Sequence, residues 1–332
     1  MRIFCMSKVE IEGIEPIQDY FFNSCFYSSL FPVIEFFGRS VLPFMINGIG
    51  TYMFYDTEER CSAYIKFYQE NSIQNILDEI MIRYQKIDIC DKLHETIVEN
   101  LDEAKPVIVA VDCFWEAIRP EMYQKVHLPH YLLVYGYDDE KQEYLIIEQD
   151  HEADISFHKK TISKSEIEIA YKGFCERFFQ QDRGTVWIFN EDKRKYQLDL
   201  KDLKKRYIAN LKKNKDRFCF GMQEIYAFQS KFIALIEREE DFWPRLQDII
   251  EGTNDILKYM NAKVIQYEAF FEEYDQEMVL FRKLRECWIL QRTILVKCYY
   301  SKRLGQNQKL KVITNLEMIL KLSDELVGAL LG

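Results

Sequence analysis

The sequence predicts an α+β protein in which a mixed N-terminal domain is followed by an all-α helical domain. A chain of 332 residues is long enough for about two domains. Short runs rich in β-branched residues occur between residues 106 and 189, and strand signals stop beyond Asn190. From there onward, apolar residues recur at helical spacing. We therefore predict a first domain over residues 1–195 and a helical domain over residues 196–332.

The composition restricts the classes of function. Hydrophobic residues make up 48% of the chain, and the formal net charge of −10 argues against a general nucleic-acid binder. No apolar run reaches the roughly 18 residues of a transmembrane helix, and residues 1–13 lack the apolar core of a signal peptide. The nine cysteines are widely spaced, so we expect reduced thiols and no metal site. These features predict a cytoplasmic protein.

The first predicted helix begins at a candidate nucleophile. Cys25 follows Asn23 and Ser24, and Ser24 is a plausible N-cap of a helix that ends at Gly38. The apolar residues of this helix recur at helical spacing: Phe26, Leu30, Val33, Ile34 and Phe37. A cysteine in the first turn of a helix favours the thiolate form, which is the nucleophile. The alternative is a buried structural cysteine.

The segments that follow give weaker signals. Residues 1–20 are predicted to be extended, and residues 41–58, which contain one proline and two glycines, are predicted to be irregular. Helical spacing over residues 72–84 and 93–101 predicts two short helices.

The middle of the chain predicts strands. Residues 107–112 form a short apolar run typical of a buried strand. Two further runs, 130–137 and 143–150, flank the polar stretch 138–142 and predict a β-hairpin. A last strand is predicted over residues 183–189.

The hairpin predicts which residues face each other. A five-residue loop places Tyr137 opposite Glu143, and counting back along both strands places His130 opposite Asp150. Facing residues of an antiparallel pair have Cβ atoms about 4.5–5.5 Å apart. A shift of one residue in this register would put a neighbour of Asp150 opposite His130 instead.

A histidine paired with a carboxylate suits a thiol nucleophile. The imidazole takes the proton of the thiol and later protonates the leaving group, while the carboxylate fixes the tautomer and orientation of the ring. The alternative is a structural histidine–aspartate pair beside a core cysteine.

These motifs resemble a known family. Asn23-Ser24-Cys25 at the start of an aromatic-rich helix, the run His127-x-x-His130-Tyr-Leu-Leu-Val-Tyr-Gly-Tyr-Asp and the strand ending in Asp150 resemble the N-terminal domain of the butirosin biosynthesis protein H family. That family is similar to the papain-like and bacteriocin-leader cysteine peptidases. The resemblance covers roughly residues 10–190 and implies a papain-like fold for the first domain.

The resemblance also implies a reaction. The family transfers an acyl group from an acyl carrier protein to an amine by way of an acyl-cysteine. By this match Cys25 is the nucleophile, His130 the base and acid, and Asp150 the residue that orients His130. No bound cofactor is expected, because the substrate arrives on the phosphopantetheine arm of the carrier.

The oxyanion donors depart from the papain-like pattern. Those enzymes have a glutamine six residues before the nucleophile, where this chain has Asp19. Ionised Asp19 would repel an oxyanion, so the side-chain candidates are Gln18 and Asn23, together with the backbone N–H of Cys25.

Two surfaces are predicted to bind the substrates. Acidic carriers suit a basic helix face, for which the candidates are Lys204, Lys205, Lys212 and Lys213, although a solvated helix face is an equal alternative. Aromatic residues on both sides of the catalytic segments either line the cleft as an aromatic wall or belong to the core: Phe44, Tyr52, Phe54, Tyr55, Trp115 and Tyr123.

The sequence thus predicts a cysteine-dependent acyltransferase of specialised-metabolite biosynthesis that acts on an acyl carrier protein and a small-molecule amine. Two alternatives stay open. One is a cysteine peptidase, amidase or thioesterase, since the same catalytic residues attack amides and thioesters alike. The other is a non-catalytic binding module with a papain-like fold.

Overall fold

The computed structural model describes residues 8–17, 22–57, 60–149, 156–180 and 184–332. Strands and helices both occur, which confirms the predicted α+β class. In chain order the strands are β1 (Lys8–Glu10), β2 (Gly48–Asp56), β3 (Cys61–Gln69), β4 (Ile82–Ile87), β5 (Val107–Asp112), β6 (Pro129–Asp138), β7 (Glu143–Gln149), β8 (Phe157–Ser163) and β9 (Val186–Glu191).

The helices become longer toward the C-terminus. In chain order they are α1 (Cys25–Phe36), α2 (Leu42–Asn47), α3 (Ile73–Glu79), α4 (Leu93–Leu101), α5 (Lys164–Phe178), α6 (Leu200–Lys213), α7 (Lys215–Glu237), α8 (Glu239–Phe270), α9 (Gln276–Ser301) and α10 (Gln306–Leu331). A 3₁₀ turn at Cys113–Trp115 follows β5.

The chain divides into two compact units that are not continuous in sequence. The first unit contains residues 1–41 and 72–198, and the second contains residues 42–71 and 199–332. This division differs from the predicted single boundary between residues 195 and 196, and it adds the β2–β3 hairpin to the predicted helical domain. The physical reason is packing, because β2 lies against α7 and β3 lies against α8.

A buried lysine also connects α8 to the segment that contains α2 and the start of β2. Lys263 of α8 donates hydrogen bonds to the carbonyl oxygens of Met45 (2.7 Å) and Gly48 (3.1 Å). Burial lowers the pKa of Lys263 to about 7. Residues 42–56, which were predicted to be irregular, form α2 and β2, and residues 42–51 are buried.

One antiparallel sheet organises the first unit. Its strand order is β4-β9-β5-β6-β7-β8, and β1 pairs with β6 beside the end of β5. Every residue of β5 is buried, as the apolar run 107–112 predicted. Strand β5 lies between β9 and β6 in the sheet, and α5 packs against it. Helix α1 packs against β6, so the sheet fixes the position of the helix that begins at Cys25.

The predicted β6–β7 hairpin is present, but its register differs near the turn. Tyr137 faces Tyr144 and not Glu143, because Asp138 and Glu143 also pair and shorten the loop. A bulge between Val134 and Gly136 then shifts the register by one residue. Beyond the bulge the pairing returns to the predicted register, with Leu133 opposite Ile147.

Helix α8 is the longest of the described helices. It continues without interruption from Met260 through Lys263 to Phe270. No glycine or proline interrupts this stretch, so nothing in it stops a helix. Across the described part of the chain, every helix is too short or too polar to cross a lipid bilayer.

Candidate active site

Cys25 is the first residue of α1. Ser24 precedes it in an extended conformation (φ −155°, ψ 166°), and its side chain makes no capping hydrogen bond. The first N–H groups of a helix lack partners within the helix, and no acidic residue occupies the first turn of α1. Cys25 itself is half-buried. The free backbone N–H groups of this first turn make its surroundings favourable for an anion.

The structure brings Cys25 and His130 together. The thiol of Cys25 hydrogen-bonds to the ring of His130, which lies near the start of β6. The Nε2 atom of His130 donates to Oε2 of Glu148 on β7 at 2.6 Å, which leaves Nδ1 as the ring nitrogen for the thiol. Both His130 and Glu148 are buried. The three side chains have the order nucleophile, base and carboxylate that thiol catalysis needs.

Electrostatics favours a charged His130–Glu148 pair. Burial alone would lower the pKa of His130, but Glu148 and the thiols of Cys25 and Cys113 raise it well above its usual value. Burial alone would raise the pKa of Glu148, but the His130 ring, Arg119 and the backbone N–H of Gln149 hold it below its usual range. His130 is therefore an imidazolium, which is the state that can donate a proton to a leaving thiolate.

The second oxygen of Glu148 faces a buried arginine. Oε1 accepts a hydrogen bond from the backbone N–H of Gln149 at 2.6 Å, and Nη1 of Arg119 lies 3.8 Å away. The Nε atom of Arg119 donates to Glu121 at 2.9 Å, and the side chain is almost fully buried. The loop between β5 and β6 thus supplies a positive charge near the Glu148 oxygen that does not bond to His130.

The same loop places a second buried carboxyl near the site. Glu116 is fully buried, and neither of its oxygens accepts a hydrogen bond from a nitrogen or oxygen of the described residues. Burial and the charge of Glu148 raise its pKa to about 7, against the opposing effect of His130, Arg119 and the Cys113 thiol. Burial also raises the pKa of the Cys113 thiol to about 12. Cys113 is therefore a neutral thiol beside His130 at neutral pH.

Several predicted site residues lie outside the described residues. These are Asp150, the predicted orienting residue, and the oxyanion candidate Gln18 with its neighbour Asp19. Within the described residues, the carboxylate bonded to His130 is Glu148. Asn23, the other oxyanion candidate, has φ of 60°, which asparagine tolerates better than most residues, and its side chain hydrogen-bonds to Tyr27.

His127 has a different surrounding from His130. Its Nδ1 atom lies 2.7 Å from Oδ2 of the buried Asp112, and its ring stacks on Phe114 with centroids 4.1 Å apart. The other oxygen of Asp112 accepts hydrogen bonds from the backbone N–H groups of Phe114 and Leu128. Asp112 and His127 therefore close the loop between β5 and β6.

The four lysines predicted to bind a carrier lie on α6, but in two kinds of environment. Lys205 and Lys212 are exposed. Lys204 is half-buried with Nζ 4.2 Å from the ring centroid of Phe271, and Lys213 forms an ion pair with Glu70 at 2.6 Å. The exposed face of α6 therefore offers Lys205 and Lys212 most directly.

A pocket of about 400 Å³ opens at Cys25, and we call it the Cys25 pocket. Nine described residues line it: Ser24, Cys25, Phe26, Tyr27, Ile73, Pro129, Tyr131, Phe174 and Trp187. None of the aromatic residues predicted for the cleft is among them. Phe44, Tyr52, Phe54 and Tyr55 belong to the second unit, and Trp115 packs on Gly173.

The sequence contained a partial signal for Glu148. Glu148 lies two residues before Asp150, so in the predicted strand 143–150 it shares a face with that residue and is diagonal to His130. A diagonal neighbour is about 7–8 Å away between backbones, a distance that a glutamate side chain spans. Nothing in the sequence indicated that Glu116 and Arg119 are buried, because charged loop residues are normally exposed.

The described histidine, cysteine and acidic side chains do not cluster in a way that would bind a metal ion.

Comparisons with known proteins show what the chain is similar to. No curated protein matches the chain. A solved structure from Bacillus anthracis described as a C39-like peptidase has 11% identity and a TM-score of 0.35, with 57% of this chain and 100% of that chain covered. The family model for butirosin biosynthesis protein H, N-terminal, matches residues 33–149, a stretch that begins after Cys25 and contains His130 and Glu148. This match confirms the resemblance predicted from the motifs: over residues 33–149, the chain is similar to the N-terminal part of butirosin biosynthesis protein H.

Proposed function

We propose that the protein is a cysteine-dependent acyltransferase of a biosynthetic pathway. Cys25 accepts an acyl group from the phosphopantetheine thioester of an acyl carrier protein and passes it to an amine. The observation that carries this proposal is the buried His130, which contacts the Cys25 thiol and donates a 2.6 Å hydrogen bond to Glu148. The family match supports the biosynthetic setting, because the matched family is named for butirosin biosynthesis.

The first half-reaction transfers the acyl group to the enzyme. The Cys25 thiolate attacks the carbonyl carbon of the thioester, and a new carbon–sulfur bond forms as the bond to the carrier sulfur breaks. The His130 imidazolium gives its proton to the departing carrier thiolate. The backbone N–H of Cys25 and the side chain of Asn23 or Gln18 are the proposed donors to the oxyanion.

The second half-reaction releases the product. The amine attacks the acyl-Cys25 carbonyl carbon, and the carbon–sulfur bond to Cys25 breaks as the amide forms. The neutral His130 left by the first step accepts a proton from the attacking amine and returns to the imidazolium form. Glu148 keeps the ring oriented in both steps and stabilises its charge, which is the role the resemblance assigned to Asp150.

Carrier docking is proposed for the basic face of α6. Carrier proteins are usually acidic, and the exposed members of the predicted set are Lys205, Lys212 and Lys213, of which Lys213 is paired with Glu70. Such an interaction between opposite charges mainly raises the rate at which carrier and enzyme associate, and it has little effect on the rate of the chemical step.

Intact-protein mass spectrometry tests the proposal. A carrier loaded with an acyl thioester should add the mass of the acyl group to the wild-type protein, and an amine should remove it as an amide. Cys25→Ser and His130→Ala are the variants that should not be acylated. Efficient cleavage of peptides, with no acylation by any thioester, would favour the peptidase alternative.

A further inference from the structure

The rings of the Cys25 pocket form a continuous aromatic surface. Phe26 of α1 contacts Trp187 of β9 with ring centroids 5.2 Å apart, and it contacts Tyr131 of β6 edge-on at 5.1 Å. Tyr131 in turn contacts Phe174 of α5 at 6.0 Å. These rings come from four elements of one unit, so packing fixes their positions.

A hydrogen bond between α1 and β6 keeps this surface next to the nucleophile. The hydroxyl of Ser29 donates a hydrogen bond of 2.8 Å to the carbonyl oxygen of Tyr131. Phe26 directly follows Cys25, so any group bonded to the thiol starts at the edge of the aromatic surface.

Charge is absent from the described lining of the pocket. The nine described lining residues include no lysine, arginine, aspartate or glutamate. A charged group at the far end of an acyl chain, away from Cys25 and His130, would lose its hydration on this surface without gaining a partner of opposite charge among the described lining residues. The pocket therefore disfavours acyl groups that carry a carboxylate or an ammonium.

The size of the pocket suits a small acyl group. Its volume of about 400 Å³ lies near the lower end of the range for small-molecule sites, about 300–1,000 Å³. Flat rings gain most from a surface made of fixed aromatic side chains, because ring–ring contacts add to the burial of apolar area.

We propose that the acyl group accepted by Cys25 is uncharged and apolar, and that aromatic acyl groups are preferred over straight-chain ones. This inference rests on the proposed acyl transfer. It assigns the substrate class of the acyl half-reaction and leaves the amine undefined.

Rates of Cys25 acylation by small thioesters test the inference. The probes are N-acetylcysteamine thioesters of benzoic, hexanoic, succinic and 4-aminobutyric acids, and the readout is intact-protein mass over time. Benzoyl should react fastest, with hexanoyl next. Succinyl and 4-aminobutyryl should be slower than benzoyl by about tenfold or more, since each brings a charge to an apolar surface.

A charge placed in the pocket should reverse this selectivity. Ile73 is a half-buried lining residue at the start of α3. Ile73→Arg should raise the succinyl-to-benzoyl rate ratio by about tenfold, because a guanidinium pairs with a carboxylate. Ile89→Arg is the matched control: Ile89 is an exposed isoleucine of the same unit that does not line the pocket, so the ratio should not change.

A second variant separates aromatic from aliphatic preference. Phe174→Leu removes a ring from the lining and keeps an apolar side chain, so it should slow benzoyl more than hexanoyl. Phe178→Leu is its control, since Phe178 contacts Phe174 and lies outside the lining. Equal rates for charged and apolar probes would overturn the inference and leave acyl transfer intact. If none of these small probes reacts, the same four acyl groups are offered on a loaded carrier, and acylation by none of those either would overturn both.

Discussion

The Nε2 atom of His130 lies 2.6 Å from Oε2 of Glu148, and both side chains are buried between β6, β7 and the loop that contains Arg119. A hydrogen bond between an imidazolium and a carboxylate in this setting is short and strong. It fixes the plane of the imidazole ring, so the other ring nitrogen faces Cys25. Orientation of the ring is therefore the main contribution that we expect from Glu148.

Glu148→Gln should slow acylation of Cys25 more than Asp150→Asn does. A glutamine keeps the shape of the side chain but cannot stabilise the imidazolium, so we expect a loss of about 10- to 100-fold in the acylation rate. Asp150→Asn should leave the rate close to that of the wild type. Single-turnover mass spectrometry measures both. A silent Glu148→Gln together with an inactive Asp150→Asn would return the orienting role to Asp150.

Cys25 should be the first thiol to be alkylated near neutral pH. It contacts the ring of His130 and is half-buried at the start of α1, so it has a base beside it and is open to the reagent. Cys113 should stay unlabelled, because burial raises the pKa of its thiol to about 12, and Cys61 likewise, at about 11. Brief iodoacetamide treatment and peptide mapping provide the test. Exposed Cys219 is the internal comparison, and labelling of Cys219 ahead of Cys25 would argue against the nucleophile.

His130→Ala and His127→Ala should fail in different ways. Removal of His130 should abolish acylation, since no other base contacts the thiol in the described site. Removal of His127 leaves the buried carboxylate of Asp112 without one of its partners, which should lower the free energy of unfolding by about 1–3 kcal/mol. The folded fraction of His127→Ala should still be acylated. Thermal unfolding and acylation rates, measured on both variants, separate the two effects, and an inactive but stable His127→Ala would contradict this assignment.

Glu116→Gln should change how stability depends on pH. The pKa of Glu116 is raised to about 7 from an ordinary value of 4.5, so the folded protein binds more protons than the unfolded chain between these values. The free energy of unfolding of the wild type therefore falls as pH rises through this window. Glutamine does not titrate and so removes this pH dependence. From about pH 5 to about pH 8, the free energy of unfolding of the variant should rise by about 2–3 kcal/mol relative to that of the wild type.

Urea unfolding at the two pH values measures this change for Glu116→Gln. Glu176→Gln, at an exposed glutamate of α5, is the control and should follow the wild type. Parallel pH curves for Glu116→Gln and the wild type would mean that Glu116 is ionised in the folded protein over the whole range.

Reversal of charge at two exposed lysines of α6 should change the acylation rate only for carrier-bound substrates. Lys205→Glu combined with Lys212→Glu should slow acylation by a loaded carrier and leave acylation by small thioesters unchanged, because the small probes need no docking face. Added salt should shrink the advantage of the carrier over small thioesters in the wild type. Lys92→Glu combined with Lys172→Glu is the control, which makes the same change in net charge at the N-cap of α4 and on α5. An equal loss in this control would indicate a general effect of net charge.

The sequence predicted the elements that carry strong periodicity. The helix from Cys25, the buried strand 107–112 and the hairpin after His130 all occur as the apolar patterns indicated. Gly136 is a partial signal for the bulge after Val134, because an isolated glycine within a strand often lies at a bulge, but the glycine alone does not fix the size of the register shift. The pairing at the open end of the hairpin was still right, since the shorter loop and the bulge offset each other.

Buried charges were the part of the site that the pattern missed. Arg119 and Glu116 lie in a loop whose composition suggests solvent exposure, yet both are buried by the strands on either side. Both side chains interact with Glu148 on another strand and with Cys113 at the start of the same loop. The spacing between these residues follows neither the helical nor the strand period. Local periodicity carries no information about such contacts, so only the folded arrangement reveals them.

The β2–β3 hairpin affects the order in which this protein matures during translation. Residues 42–71 leave the ribosome early, but their packing partners on α7 and α8 are made only after residue 214. Until then, rings such as Phe54 and Phe67 lack the helices they pack on, where they later contact Phe228 and Tyr259. The nascent chain must therefore carry an unsatisfied apolar hairpin through the synthesis of the whole first unit. This interval is one in which chaperones would protect the chain from aggregation.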